Sequence, residues 1–132
     1  MKQTNLGLLI VRLSIAGLML LHGVSKLISG LDILPEMLKD VGLPSFLAYG
    51  VYVGEVIAPL LMIIGFRTRL ASMIFVINCL FAIFLVHSSE IFSLDGNGGW
   101  AIELLGLYLF GALALVFTGA GNYAVSTNNR WD

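Results

Sequence analysis

The sequence predicts an all-α integral membrane protein, a four-helix bundle formed by a single domain over residues 1–132. Its composition is the first reason: 58% of the residues are hydrophobic and 11% are charged, whereas an average soluble domain has about 25% charged residues. Four long apolar runs are the second reason, since each approaches the roughly 20 residues with which a helix crosses a bilayer. These runs lack the alternation of barrel strands, and together they leave too little polar sequence to cover a soluble surface.

The four predicted spans cover about residues 6–28, 46–64, 70–86 and 100–117. The link between the second and third spans is so short that those helices must be antiparallel neighbours. In the first link, Pro35 suits a first helical turn and Gly42 suits a helix end, so we expect a short interfacial helix over residues 35–41. The third link, residues 87–99, is rich in glycine and is predicted to be a flexible loop.

The basic residues indicate how the bundle is oriented. One side of the membrane receives Lys2, Arg67, Arg69 and Arg130, whereas the other receives two lysines among several acids. Cytoplasmic segments of membrane proteins carry the excess of Lys and Arg. Both termini are therefore predicted to be cytoplasmic, with the first and third links facing outward.

Charge and cysteine content exclude two kinds of function. Seven Lys and Arg residues and a formal net charge of −1 provide no basic patch for a nucleic acid, so lipid is the expected partner and nucleic acid is not. Cys79 is the only cysteine, so the chain has neither an internal disulfide nor a Cys-x-x-Cys redox pair.

Two charged residues fall inside predicted spans, Arg12 in the first and Glu55 in the second. An ionisable side chain at the bilayer centre costs at least about 2.5 to 3.5 kcal/mol, so both side chains are expected to face the protein interior. Their similar predicted depths suggest that they form a buried charge pair with each other. Such a pair either organises a polar site or only fixes the register of the helices, and both interpretations stay open.

Pro59 is expected to bend the second helix beside Glu55.

Further polar side chains are predicted to meet near the outer end of the bundle. On a helix with 3.6 residues per turn, Arg12, His22 and Lys26 fall within an arc of about 80°. The four candidate ligand-binding residues lie toward that outer end: His22, Lys26, His87 and Glu103.

The two histidines have three interpretations. They bind a ligand or relay protons, they are axial ligands of a haem, or they are interfacial residues wetted by lipid headgroups. A zinc site made by His22, His87 and Glu103 lacks a close ligand pair at the usual spacing, so no metal site is assigned. No catalytic residue is assigned either.

Several short motifs follow one another along nearly the whole chain: Arg12-Leu13, Leu21-His22-Gly23-Val24-Ser25-Lys26-Leu27, Gly42-Leu43-Pro44, Gly54-Glu55, Ile64-Gly65-Phe66-Arg67-Thr68-Arg69, Val86-His87 and Gly98-Gly99-Trp100-Ala101-Ile102-Glu103-Leu104. Their order and spacing resemble the DoxX family of small bacterial membrane proteins. The resemblance implies a four-helix protein of the bacterial inner membrane. Relatives in that family include a membrane subunit of thiosulfate:quinone oxidoreductase and a mycobacterial protein associated with superoxide dismutase and a sulfurtransferase. The family's recurrent polar positions correspond here to Arg12, His22, Lys26, Glu55, Arg67 and Glu103.

These observations support two main hypotheses. The first is a membrane subunit of a redox complex that binds a quinone, rather than a haem, in the outer half of the bundle. In it, His22, Lys26 and Glu103 would hydrogen-bond and protonate the quinone oxygens, while Arg12 and Glu55 organise the interior. The alternative is a non-catalytic membrane anchor or assembly factor for partner proteins. A small-molecule or proton carrier formed by homo-oligomerisation is a third possibility.

Overall fold

The computed structural model describes residues 2–132, and within that range it is all-helical apart from links and a single isolated bridge between Leu94 and Trp100. The helices are α1 (Lys2–Ser29), α2 (Leu34–Asp40), α3 (Gly50–Tyr52), α4 (Ala58–Ile64), α5 (Thr68–Val86) and α6 (Glu103–Thr118). Three helical stretches, Lys2–Ser29, Ser45–Ile64 and Thr68–Val86, are long and apolar enough to cross a membrane. The fourth, α6, is apolar but shorter, because it begins at Glu103 and not at Trp100.

The second of these stretches, Ser45–Ile64, is called the composite helix here because its geometry changes along its length. A 3₁₀ segment (Ser45–Tyr49) leads into α3, a π-helical segment (Val53–Ile57) follows, and α4 completes it. Pro59 has no backbone N–H with which to bond to the Glu55 carbonyl four residues earlier, which favours a wider turn at this point. The disturbance predicted near Pro59 thus takes the form of a π turn that contains Glu55.

The four long helices form a ring in the order α1, composite helix, α5, α6. Many core residues are small, with Ala16, Ala58, Ala71 and Ala112 fully buried, so the helix backbones lie close together. Large apolar side chains point outward instead; Ile28 is 83% exposed and Phe117 is 74% exposed. A bundle with apolar residues on its surface and buried charges is the pattern expected of a protein solvated by lipid, which confirms the predicted fold class.

Close packing brings α1 against the π turn. A side chain at Gly23 would collide with the backbone carbonyl of Glu55 and with Val56, so only glycine allows this approach. On the other side of the composite helix, a side chain at Gly54 would collide with Asn78 of α5. Two glycines therefore place Glu55 between α1 and α5.

A polar segment, residues 119–132, folds back across one end of the bundle. The Val125 and Ser126 amides donate to the carbonyls of Ile64 and Gly65 at the end of α4, and the Arg69 and Leu70 amides donate to the Trp131 carbonyl. This C-terminal segment therefore satisfies backbone groups at the end of α4 and the start of α5. Asn122 also donates its amide to the side chain of Asn5, which puts both ends of the described chain at one end of the bundle. Their cytoplasmic location stays a prediction.

The first and third links are both structured. The short helix expected over residues 35–41 is present as α2, with Pro35 in its first turn. The third link, predicted to be a flexible loop, forms a defined turn because the Asp95 carboxylate accepts hydrogen bonds from the amides of Asn97 and Gly99. Trp100 then anchors it by donating its indole N–H to the Ile91 carbonyl at 2.7 Å.

Candidate functional site

The central feature of the site is an ion pair between α1 and the π turn. The Lys26 ammonium lies 2.8 and 2.7 Å from the two carboxylate oxygens of Glu55. The Glu55 side chain is only 8% exposed, whereas that of Lys26 is 40% exposed. The buried acid is therefore neutralised by a cation that still reaches the edge of the protein.

Two neighbouring side chains hold this pair in position. The Asn78 amide donates to Glu55 at a long 3.4 Å, and the Tyr52 hydroxyl donates to the Lys26 backbone carbonyl at 3.2 Å. These contacts come from α5 and α3, so three helices, α1, the composite helix and α5, meet at the pair. Neither contact was predicted from the sequence, although Tyr52 projects to the same side of its helix as Glu55.

The predicted pair of Arg12 with Glu55 is wrong. Arg12 is 1% exposed, and its guanidinium donates to the backbone carbonyls of Ala120 and Tyr123 in the C-terminal segment. Glu55 lies at the level of Gly23, which is about 16 Å of helix rise from Arg12 along α1. Both charges are buried as expected, but each finds a different partner because their depths differ.

A cavity of about 310 Å³ opens beside the ion pair. Its polar lining comes from Lys26, Glu55, His22, His87 and Tyr108, and its remaining walls are apolar: Met19, Ala82, Ala101, Ile102, Leu104 and Leu105. The cavity reaches the surface of the bundle and is not enclosed. Its volume falls at the lower end of the roughly 300 to 1,000 Å³ typical of small-molecule sites.

The structure brings together three of the four candidate ligand-binding residues. His22, Lys26 and His87 line the cavity, while Glu103 does not and instead lies over Gly99 in the third link. The His87 ring nitrogen Nδ1 is 2.9 Å from a Glu90 carboxylate oxygen, so its acidic neighbour is Glu90 and not Glu103. Across residues 2–132, no group of three or more His, Cys, Asp or Glu side chains is placed to hold a metal ion.

Tyr108 is a site residue that the sequence analysis missed. It is 6% exposed, its ring meets the His22 ring edge-on at a centroid distance of 6.2 Å, and it lies one turn beyond Leu104 on α6. An aromatic residue within a long apolar run gives no signal of its own. Tyr108 shares its helix face with Leu104 and Leu105, four and three residues earlier, and both of those are apolar as well.

Comparison with known proteins agrees with this architecture. The DoxX family model matches residues 7–88, which is more than half of the chain and includes both Lys26 and Glu55. The chain belongs to the DoxX family. A protein of Bacillus subtilis (strain 168) named "Putative oxidoreductase CatD" is 29% identical over 108 residues, covering 82% of this chain and 80% of CatD. An uncharacterised protein of Haemophilus influenzae is 32% identical over 118 residues, covering 87% of this chain and 84% of its own length. No solved structure matches the chain.

Within this DoxX protein, the site offers a specific combination of groups. A cation, two imidazoles and a phenol face a cavity whose other walls are apolar. Such a site suits a largely apolar molecule with one or two hydrogen-bond acceptors, because the walls bind its body and the donors orient its polar atoms. The histidines and the Lys26–Glu55 pair also provide groups that can take up and release protons.

Proposed function

We propose that this DoxX protein is a membrane subunit of a redox complex in the bacterial inner membrane, and that its cavity binds the headgroup of a quinone. The observation that carries the proposal is the Lys26–Glu55 pair at an apolar-walled cavity open to the bundle surface. The name of CatD, a relative of similar length, adds support for a redox role. An isoprenoid tail would leave through the opening into lipid, while partner proteins would supply the electrons.

The residues have separate tasks in this proposal. The Lys26 ammonium donates a hydrogen bond to one quinone oxygen, and the His22 imidazole donates to the other or to the same one. Reduction of a quinone to a quinol consumes two electrons and two protons. The electrons come from a redox centre of a partner subunit, and the protons pass through the histidines and the Lys26–Glu55 pair. Glu55 holds the Lys26 side chain at the cavity, and the Tyr108 ring positions His22.

Quinone content after purification tests the proposal. The protein would be purified in mild detergent from cells that make quinones, and bound quinone would be extracted and measured per mole of protein. The double variant Lys26→Met/Glu55→Gln removes both charges with little change of volume, so that neither charge is left unpaired. We expect the wild type to retain quinone. The double variant should bind quinone at least about 5-fold more weakly, which is a loss of about 1 kcal/mol of binding free energy, and should therefore carry less of it.

The matched control is Lys39→Met/Glu103→Gln, which removes one lysine and one glutamate outside the cavity. Its quinone content should equal that of the wild type. If wild-type protein carries no quinone, or if the double variant retains the wild-type amount in a folded state, the cavity is not a quinone site.

The alternative function, a non-catalytic anchor or assembly factor, has one structural argument in its favour. Lys26 and Glu55 satisfy each other, so the pair can fix the register of α1 against the composite helix without any ligand. In that case the double variant would have the same quinone content as the wild type. The same protein partners would then be recovered by affinity purification with or without quinone.

A further inference from the structure

A second cavity lies at the opposite end of the bundle from the Lys26–Glu55 site. It has a volume of about 320 Å³ and is formed between the start of α5, the end of α6 and the C-terminal segment. Its lining is mainly polar and includes Arg69, Arg130 and Asp132, together with Thr118, Thr127 and Asn122. This second cavity plays no part in the proposed redox function.

The end of the bundle that holds the second cavity has more basic than acidic residues, and the cavity itself is lined by two arginines and one aspartate. Of the eight acidic residues of the chain, Asp132 is the one at this end; the others are in the first link, the π turn, the third link and the first turn of α6. Five basic residues share the same end: Lys2, Arg12, Arg67, Arg69 and Arg130. Arg12 is already engaged by the carbonyls of Ala120 and Tyr123.

The single acid is also fully occupied. One Asp132 carboxylate oxygen accepts from the Arg67 guanidinium at 3.0 Å, and the other accepts from the Ser126 hydroxyl at 2.6 Å and the Asn129 amide at 2.8 Å. Within residues 2–132, neither the Arg69 nor the Arg130 side chain takes part in an ion pair. The Arg130 guanidinium only stacks on the Trp131 ring, 4.9 Å from its centroid.

We infer that Arg69 and Arg130 form a binding site for a phosphate-type oxyanion in this second cavity. Two guanidinium groups that line one cavity give it a positive potential, and an anion bound there is attracted by both of them. The planar guanidinium matches the geometry of phosphate oxygens and binds them with two parallel hydrogen bonds. The Thr127 hydroxyl and the side-chain amide of Asn122 supply further neutral donors within the same cavity, whereas the Thr118 hydroxyl already donates to the Gly119 carbonyl.

The phosphate group has two possible sources, a free soluble anion or the headgroup of an anionic lipid. Both present the same oxygens to the arginines. Basic cavities at the cytoplasmic end of membrane helices bind anionic lipid headgroups, and the second cavity lies at the end predicted to be cytoplasmic.

Two binding measurements on the full-length protein distinguish these sources. The first is equilibrium dialysis of radiolabelled inorganic phosphate against protein in detergent. The second is native mass spectrometry of protein taken from nanodiscs that contain equal amounts of phosphatidylglycerol and phosphatidylcholine. Phosphate binding in the first measurement indicates a free anion, and enrichment of phosphatidylglycerol in the second indicates a lipid headgroup.

The test variant is Arg69→Gln/Arg130→Gln, and the control is Lys2→Gln/Lys39→Gln, which removes the same charge outside the second cavity. We expect the test variant to weaken phosphate binding or phosphatidylglycerol enrichment at least 10-fold and the control to change it less than 2-fold. The Arg69 side chain makes no hydrogen bond that holds the C-terminal segment, so the variant should fold and keep its thermal midpoint. The inference is overturned if wild-type protein neither binds phosphate nor enriches phosphatidylglycerol. It is also overturned if the test and control variants give the same binding.

Discussion

Lys26 and Glu55 show how two charges are tolerated within an apolar bundle. Each carboxylate oxygen of Glu55 receives a hydrogen bond from the same ammonium group, and Asn78 adds a weaker contact. The lysine stem lies along the helix surface while its charged end remains partly exposed. The pair therefore neutralises the buried acid and also presents a donor to the cavity.

Single substitutions in this pair are predicted to destabilise the fold more than the double substitution does. Lys26→Met leaves the Glu55 carboxylate buried without its cation, and we expect a loss of about 3 kcal/mol, at the low end for a buried pair because Lys26 is partly exposed. Lys26→Met/Glu55→Gln should recover most of that loss. The measurement is the free energy of unfolding in mixed micelles for wild type, both single variants and the double variant. Equal losses in Lys26→Met and the double variant would argue against an energetically coupled pair.

The C-terminal segment is the element that the sequence analysis did not anticipate. Its residues have no hydrophobic periodicity, and their role depends on contacts with α1, α4 and α5 that are distant in sequence. Arg12 was recognised as a buried charge from local sequence, but its partners are backbone carbonyls in this segment. A side chain that pairs with carbonyls has no complementary charge that a sequence pattern can reveal.

Protonation of Asp132 is predicted to release this segment in acid. Burial raises the pKa of the Asp132 carboxyl, but hydrogen bonds from Ser126, Asn129 and Arg67 outweigh it and leave the pKa below its ordinary value. A group with a lowered pKa stabilises the folded state above its unfolded pKa, and this contribution disappears as the pH falls through the folded value. The segment should therefore stay docked from pH 8 to pH 5 and detach only below about pH 3.9.

Limited trypsin digestion at neutral pH checks the role of this carboxyl directly. Asp132→Asn weakens the contact with Arg67 without acidification, so cleavage at Arg67, Arg69 and Arg130 should become several-fold faster. Asp95→Asn, which alters the turn at the other end of the bundle, is the control and should leave cleavage at these three sites unchanged. Unchanged cleavage in Asp132→Asn would show that the carboxyl does not hold the segment.

At the scale of the whole molecule, composition and apolar run lengths were sufficient to predict the helical membrane bundle. The charges within the apolar runs also identified Arg12 and Glu55 as interior residues, and both are buried. The partner of Glu55 was wrong because the vertical register of two helices depends on close contacts such as Gly23 against the π turn, which span lengths do not specify. The prediction that Glu103 lines the site was wrong for a related reason. Its carboxylate lies against Gly99 in the third link, and the fold of that link cannot be read from span lengths.

Polar side chains from separate helices meet within the lipid-embedded bundle, where Lys26 and Glu55 are in contact. Solid-state NMR on protein in lipid bilayers measures this directly, through the distance between the ¹⁵N-labelled Lys26 ammonium and the ¹³C-labelled Glu55 carboxyl. For a hydrogen-bonded ion pair we expect a cross-peak corresponding to less than about 4 Å, lost in Glu55→Gln and kept in Lys39→Met. A separation above about 6 Å in folded protein, beyond the reach of a close charge pair, would show that Lys26 and Glu55 are not paired.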